Sequence, residues 1–178
     1  MGLTIKNILI TGPPGIGKTT LIKKLSEELK DFHPVGFYTT EIRKEGFRKG
    51  FELISLSGRK GLLSHADIKS PFRVSKYGVD IRGFEDLLDS ISFFDLATNL
   101  IIIDEIGKME CFSDKFRKLI KEILDSDKMI IATISLKGNG IIAEIKKRND
   151  IKLFEITQSN RDLLLLKIVK DVKRLLYS

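Results

Sequence analysis

The chain has 178 residues, 42% hydrophobic and 31% charged, which suits one globular domain with a sizeable core and excludes a disordered or fibrous chain. Its 31 basic and 24 acidic residues leave a net charge of +7 and a pI near 9.4, a surface that attracts polyanions without saying which. No apolar run reaches the roughly 18 residues of a membrane span, and the single cysteine, Cys111, rules out an intrachain disulfide.

In chain order, residues 6–11 predict a short buried strand (Ile8, Leu9, Ile10) running into Gly12-Pro13-Pro14-Gly15. Because the chain enters this strand without a basic stretch and apolar core, no secretory leader is expected, and a reducing cytoplasm is the natural compartment. A helix is expected over 17–30, with Leu21, Ile22, Leu25 and Leu29 on its inner face. Residues 36–42 (GFYTTEI) and 48–57 read as the two strands of a hairpin about the turn Lys44-Glu45-Gly46. The stretch 58–80 is poor in signals and reads as loops, with a short strand within 74–79. A helix is expected over 84–94 (Phe84, Leu87, Leu88, Ile91).

Residues 100–103 form a continuous apolar run ending in Asp104-Glu105, the pattern of a strand buried on both faces. Ser113 reads as an N-cap for a helix carrying Phe116, Leu119, Ile120, Ile123 and Leu124. Strands follow over 129–134 and 153–156, and Asn160-Arg161-Asp162 opens a last helix with Leu164, Ile168, Val172 and Leu175 on one side. Strands alternating with helices predict an α/β domain with a parallel sheet covered on both faces, and no linker or repeat divides residues 1–178.

Gly12-Pro13-Pro14-Gly15-Ile16-Gly17-Lys18-Thr19 fits the phosphate-loop pattern G-x-x-x-x-G-K-[ST] in full, with a strand before it and a helix after it. A triphosphate is strongly hydrated, so a protein that binds it must replace water with many aligned donors. Glycines let backbone N–H groups curl inward around the phosphates, and the following helix adds its free N–H groups through Thr20. Lys18 is placed to reach the β- and γ-phosphates, and the Thr19 hydroxyl to ligate Mg²⁺. The expected partner is the acidic strand end, with Asp104 on Mg²⁺ and Glu105 polarising the attacking water as general base. At least one strand is expected between phosphate loop and acidic strand.

Thr133, ending the next strand, is a candidate sensor of the γ-phosphate or a plain strand threonine. Lys108, Arg73 and Arg161 are candidates for extra positive charge at the transition state, with an ordinary surface cation the competing reading for each. Cys111 has no base nearby in sequence and reads as a packed small residue. His33 and His65, far apart, offer almost no zinc site.

Six segments together resemble one family, the small P-loop nucleoside-triphosphatases that include the cancer-related nucleoside-triphosphatases. They are GPPGIGKTT from Gly12, GFYTTEIR from Gly36, GFRKGFELISL from Gly46, RVSKYGV from Arg73, DEIGKME from Asp104 and the pair Asn160-Arg161. The resemblance spans nearly the whole chain; DEIGKME is its most specific part, and Ser75 stands where the family pattern has Gly. It implies a RecA-like, mostly parallel sheet with an added antiparallel hairpin. It also implies slow Mg²⁺-dependent hydrolysis of ATP, GTP, CTP and UTP, and it places Lys108 and Arg161 on matching family positions. Two rivals stay open: a small-molecule kinase, kept alive by Lys146-Lys147-Arg148, and a nucleic-acid-associated ATPase module suggested by the basic charge. Base preference, oligomeric state (a monomer or more) and any nucleic-acid partner are left open by the sequence; no membrane partner is expected.

Overall fold

The computed structural model describes residues 5–177. The chain runs β1 (Asn7–Thr11), α1 (Lys18–Glu28), β2 (Val35–Lys44), β3 (Phe47–Ser55), β4 (Lys60–His65), β5 (Arg73–Val74), β6 (Tyr77–Val79) and α2 (Ile81–Asp89). It continues through β7 (Leu100–Ile106), α3 (Asp114–Asp125), β8 (Met129–Ile134), α4 (Ile141–Lys146), β9 (Ile151–Glu155) and α5 (Arg161–Leu176). All nine strands join one sheet in the order β5-β6-β4-β3-β2-β7-β8-β1-β9. Strands β2, β7, β8, β1 and β9 are mutually parallel, and β8 lies between β1 and β7.

The central strands are apolar without interruption because both faces are covered, and their residues alternate between two cores. Ile8, Ile10, Leu100, Ile102, Met129 and Ile131 face α1 and α5, packing on Leu21, Ile22, Leu25, Ile168 and Val172. Leu9, Ile101, Ile103, Ile130 and Ala132 face the opposite way, onto α2, α3 and α4. On that second side Phe37, Phe84 and Phe116 are fully buried, with ring centroids 5.2 to 6.3 Å apart. These rings join β2 to α2 and α3. Gly36 permits the close approach of β2 to β7, since a Cβ there would meet the Ile102 carbonyl oxygen at 1.8 Å.

The antiparallel part extends beyond the single hairpin expected from the sequence. β4 occupies the stretch read as loop, pairing with β3 on one side and β6 on the other. Its apolar residues Leu62 and Leu63 are adjacent, and its buried positions include Ser64, so no alternation marks it as a strand. The strand expected within 74–79 is two short strands, β5 and β6, with Ser75 between them at φ 54°. That left-handed conformation explains why glycine suits this position. Helix α2 begins earlier than expected because the Asp80 side chain caps it, accepting from Gly83 N at 3.0 Å, and it ends at Asp89. Helix α4, absent from the sequence reading, has only six residues, too few to show a period, yet buries Ile141, Ile142 and Ile145. Ser113 caps α3 as expected, accepting from Phe116 N at 3.0 Å. Among the described residues no helix is long and apolar enough to cross a membrane.

Phe84→Ala removes the ring at the centre of the aromatic cluster. It should cost about 3–5 kcal/mol, read as a lower urea midpoint with an unchanged m-value.

Candidate active site

The carboxyl ends of β1, β8, β7 and the middle of β2 converge on one cleft, the usual place for a ligand in an open parallel sheet. The cleft has a volume of about 1030 Å³ and is lined by the phosphate loop, by Thr39 to Glu41 of β2, and by Glu105 and Lys137. On the loop side, Gly15 and Gly17 have φ of 76° and 109°, which bend the chain from β1 into α1. Helix α1 then starts with no side chain capping its first N–H groups. By contrast Asp80 and Ser113 each accept from one first-turn N–H of α2 and α3, whereas α4 and α5, like α1, lack a side-chain cap. An uncapped start at a glycine-bent loop is a donor cluster suited to phosphate oxygens.

Lys18 Nζ donates to the carbonyl oxygens of Gly12 at 3.0 Å and Pro13 at 3.4 Å, so its ammonium lies against the loop itself. Ile16 packs into the apolar core beside Ile156 and braces the loop from below. Pro14, Gly12 and Thr20 line the cleft with the glycines.

Asp104 is 1% exposed and held by hydroxyls from two other strands and a helix. Thr19 Oγ1 donates to its Oδ2 at 2.7 Å and Thr133 Oγ1 to its Oδ1 at 2.6 Å. From β2, Thr39 N reaches Oδ2 at 3.4 Å and Thr39 Oγ1 donates to the Asp104 carbonyl at 2.7 Å. Thr133 is fully buried, and its hydroxyl orients the aspartate from behind.

Glu105 follows on the same strand and lines the cleft opposite the loop. Burial raises its pKa above the ordinary glutamate value, against the attraction of Lys18 and the hydrogen bond from Ser135 Oγ at 2.9 Å. Ser135 is itself held by Lys146 of α4, whose Nζ donates to the carbonyls of Ser135 at 2.5 Å and Leu136 at 2.8 Å. Burial lowers the Lys146 pKa.

The remaining candidates disperse. Lys108 is exposed just beyond β7 and does not line the cleft. Arg161 lines a separate groove of about 280 Å³ on the other side of the loop, with Gly17, Thr20, Lys24, Ile156, Asp162 and Leu165. Arg73 lies at the far edge of the sheet, donating to the carbonyls of Ile68 and Lys76 at 3.1 and 2.7 Å. Cys111 is no nucleophile at neutral pH, since burial pushes its thiol up to about 12.

Thr39, Ser135 and Arg48 belong to the site or its support and escaped the sequence reading, while Lys146, noted there only within the basic run of the kinase alternative, supports Ser135. Single serines and threonines carry no motif, and only the fold shows what they touch. Ser135 had one signal, its place directly after a strand in the half of the sheet that carries the phosphate loop.

A sequence model of the family described as NTPase matches residues 7–169. The chain is 47% identical over 167 residues to nucleoside-triphosphatase THEP1 of Thermotoga sp. (strain RQ2), covering 93% of this chain and 95% of that one. It is 41% identical to the cancer-related nucleoside-triphosphatase of Homo sapiens, covering 94% and 97%. The crystal structure of THEP1 from Aquifex aeolicus superposes with a TM-score of 0.85 at 38% identity, over 93% of this chain and 98% of that one.

Glu110, in the turn after β7, is 5% exposed and lies close to the Gly107 backbone. Burial, with the neighbouring Glu105 charge, lifts its pKa from the ordinary 4.5 to about 8. Between those values the folded state holds a proton that the unfolded chain releases, so stability falls as pH rises through this window. Glu110→Gln should flatten that fall, which amounts to a few kcal/mol at most; urea unfolding of both proteins on either side of the window measures it.

Proposed function

We propose a mechanism from the premise that this chain belongs to the NTPase family and hydrolyses nucleoside triphosphates. Water attacks the γ-phosphorus in line and gives a proton to Glu105. A P–O bond forms to the water oxygen as the bond from the γ-phosphorus to the β–γ bridging oxygen breaks, and its electron pair leaves with the diphosphate. The products are nucleoside diphosphate and phosphate, and the proton passes from Glu105 to solvent. The observation that carries this reading is the convergence of Lys18, Thr19 and Glu105 on one cleft, with Thr19 bonded to Asp104 at 2.7 Å.

Each residue has a separate task. The loop from Gly12 to Gly17 and the first N–H groups of α1 bind the phosphates, and Lys18 leaves its loop carbonyls to bridge the β- and γ-phosphates. Glu105, with its raised pKa, is a better proton acceptor at neutral pH than an ordinary glutamate. Ser135, its backbone braced by Lys146, holds Glu105 so that little reorganisation is needed when the water loses its proton.

The residues fit a resident Mg²⁺. The Thr19 hydroxyl and the Asp104 carboxylate are hard oxygen donors already in contact, the few protein ligands this ion keeps when phosphates supply the rest. When bound there, Mg²⁺ supplies charge neutralisation on the phosphate oxygens.

The groove beside Arg161 favours a loose fit for the base. It joins apolar Ile156 and Leu165 to charged Lys24, Arg161 and Asp162 and presents no buried side-chain donor–acceptor pair to read a base edge. ATP, GTP, CTP and UTP should therefore all serve, with Arg161 beside the nucleoside and not at the γ-phosphate. A reducing cytoplasm suits such substrates.

Lys18→Ala should weaken triphosphate binding at least about tenfold, as loss of a phosphate-bound cation does. Glu105→Gln should keep binding and lose turnover by about 10²-fold or more. Phosphate release paired with fluorescent-nucleotide titration separates the two, and normal turnover in Glu105→Gln would remove it as the base. Chelation of divalent cations should abolish turnover in the wild type.

A further inference from the structure

We propose that Arg48 of β3 is a finger supplied by the chain itself, its guanidinium contacting the γ-phosphate oxygens as the bond to the diphosphate breaks. This rests on the hydrolytic reading above and names the group that stabilises its transition state. Lys18 and a divalent cation do not meet all the charge that spreads over the γ-oxygens, and a further fixed donor there is worth much in rate.

Among the described residues, Arg48 is the one arginine lining the cleft that holds Lys18, Thr19 and Glu105. Arg161, Arg73 and Lys108 lie outside it. Glu41 lies two residues along β2 from Thr39, which touches Asp104, an advance of roughly 7 Å. Glu41 Oε1 accepts from Arg48 Nη1 at 3.0 Å, so the guanidinium is held within a side chain's reach of the phosphate end.

The guanidinium is also oriented in advance. Arg48 Nε donates to the Tyr77 hydroxyl at 3.0 Å, and the group lies over the rings of Phe51 and Tyr77 at 5.0 and 5.6 Å. Its Nη2 has no partner among the described residues, which leaves the N–H groups of that nitrogen for phosphate oxygens. Glu41 stays ionised beside its two arginines. Its Oε2 accepts from Arg43 Nε at 2.8 Å, so moving Arg48 toward phosphate does not leave a bare carboxylate. Lys137, on the opposite wall, has no hydrogen bond or ion pair among the described residues. It is a tethered charge where Arg48 is a braced one.

The test compares wild type, Arg48→Ala and Arg48→Lys in steady-state phosphate release, affinity for a non-hydrolysable triphosphate, and trapping of the diphosphate with aluminium fluoride. Arg48→Ala should lose about 10²-fold or more in kcat, keep analogue affinity within about threefold, and fail to form the aluminium fluoride complex. Arg48→Lys should recover less than about a tenth of the wild-type rate, because a point charge does not reproduce the fork. Should Arg48→Ala fail to fold, judged by its unfolding midpoint, Arg48→Lys decides alone. Wild-type kcat in Arg48→Lys, kcat within about threefold in Arg48→Ala, or an equal loss of analogue affinity and kcat/KM with the fluoride complex intact would each overturn the finger. Absence of phosphate release by the wild type would instead overturn the hydrolytic reading, and the finger with it.

Discussion

The site is organised around one buried carboxylate. Asp104 accepts from Thr19 on the helix after the phosphate loop, from Thr133 on β8 and from the Thr39 backbone on β2. A buried ionisable group is tolerable only when its oxygens are satisfied, and here the satisfying groups come from three separate elements. The same contacts therefore tie the loop, the acidic strand and the neighbouring strands into one relative geometry. Glu105 inherits its position from this arrangement, being the next residue along, and Ser135, itself held by Lys146, restrains its carboxylate.

Much of this was legible in the sequence because it is local. The phosphate loop, the apolar run before Asp104, the Ser113 cap and the periodic faces of α1, α3 and α5 are each written in consecutive residues. An inserted strand between the phosphate loop and the acidic strand was also expected, and the structure shows that it is β8. What escaped was non-local or too short to carry a period. β4 lacks alternation since Leu62 and Leu63 are adjacent and Ser64 is buried, and α4 spans less than two turns. Thr39, Ser135 and Lys146 matter through partners 65, 30 and 11 residues away, separations no spacing rule connects.

The antiparallel extension β3 to β6 gives the cleft a second wall that a bare phosphate-loop sheet would not have. Its hairpin with β2 continues past the parallel core, and there Glu41, Arg48 and Tyr77 form a polar cluster bound across strands. A basic chain at +7 thus places part of its charge beside the proposed triphosphate site.

Helix α1 begins without a side chain to satisfy its first N–H groups, unlike α2 and α3. In the proposed binding mode the triphosphate completes that helix. Substrate then acts as a removable piece of secondary structure, and part of its binding free energy is folding free energy. In that mode product departure would bare the terminus once per turnover, and the order of the first turn of α1 would follow the catalytic cycle.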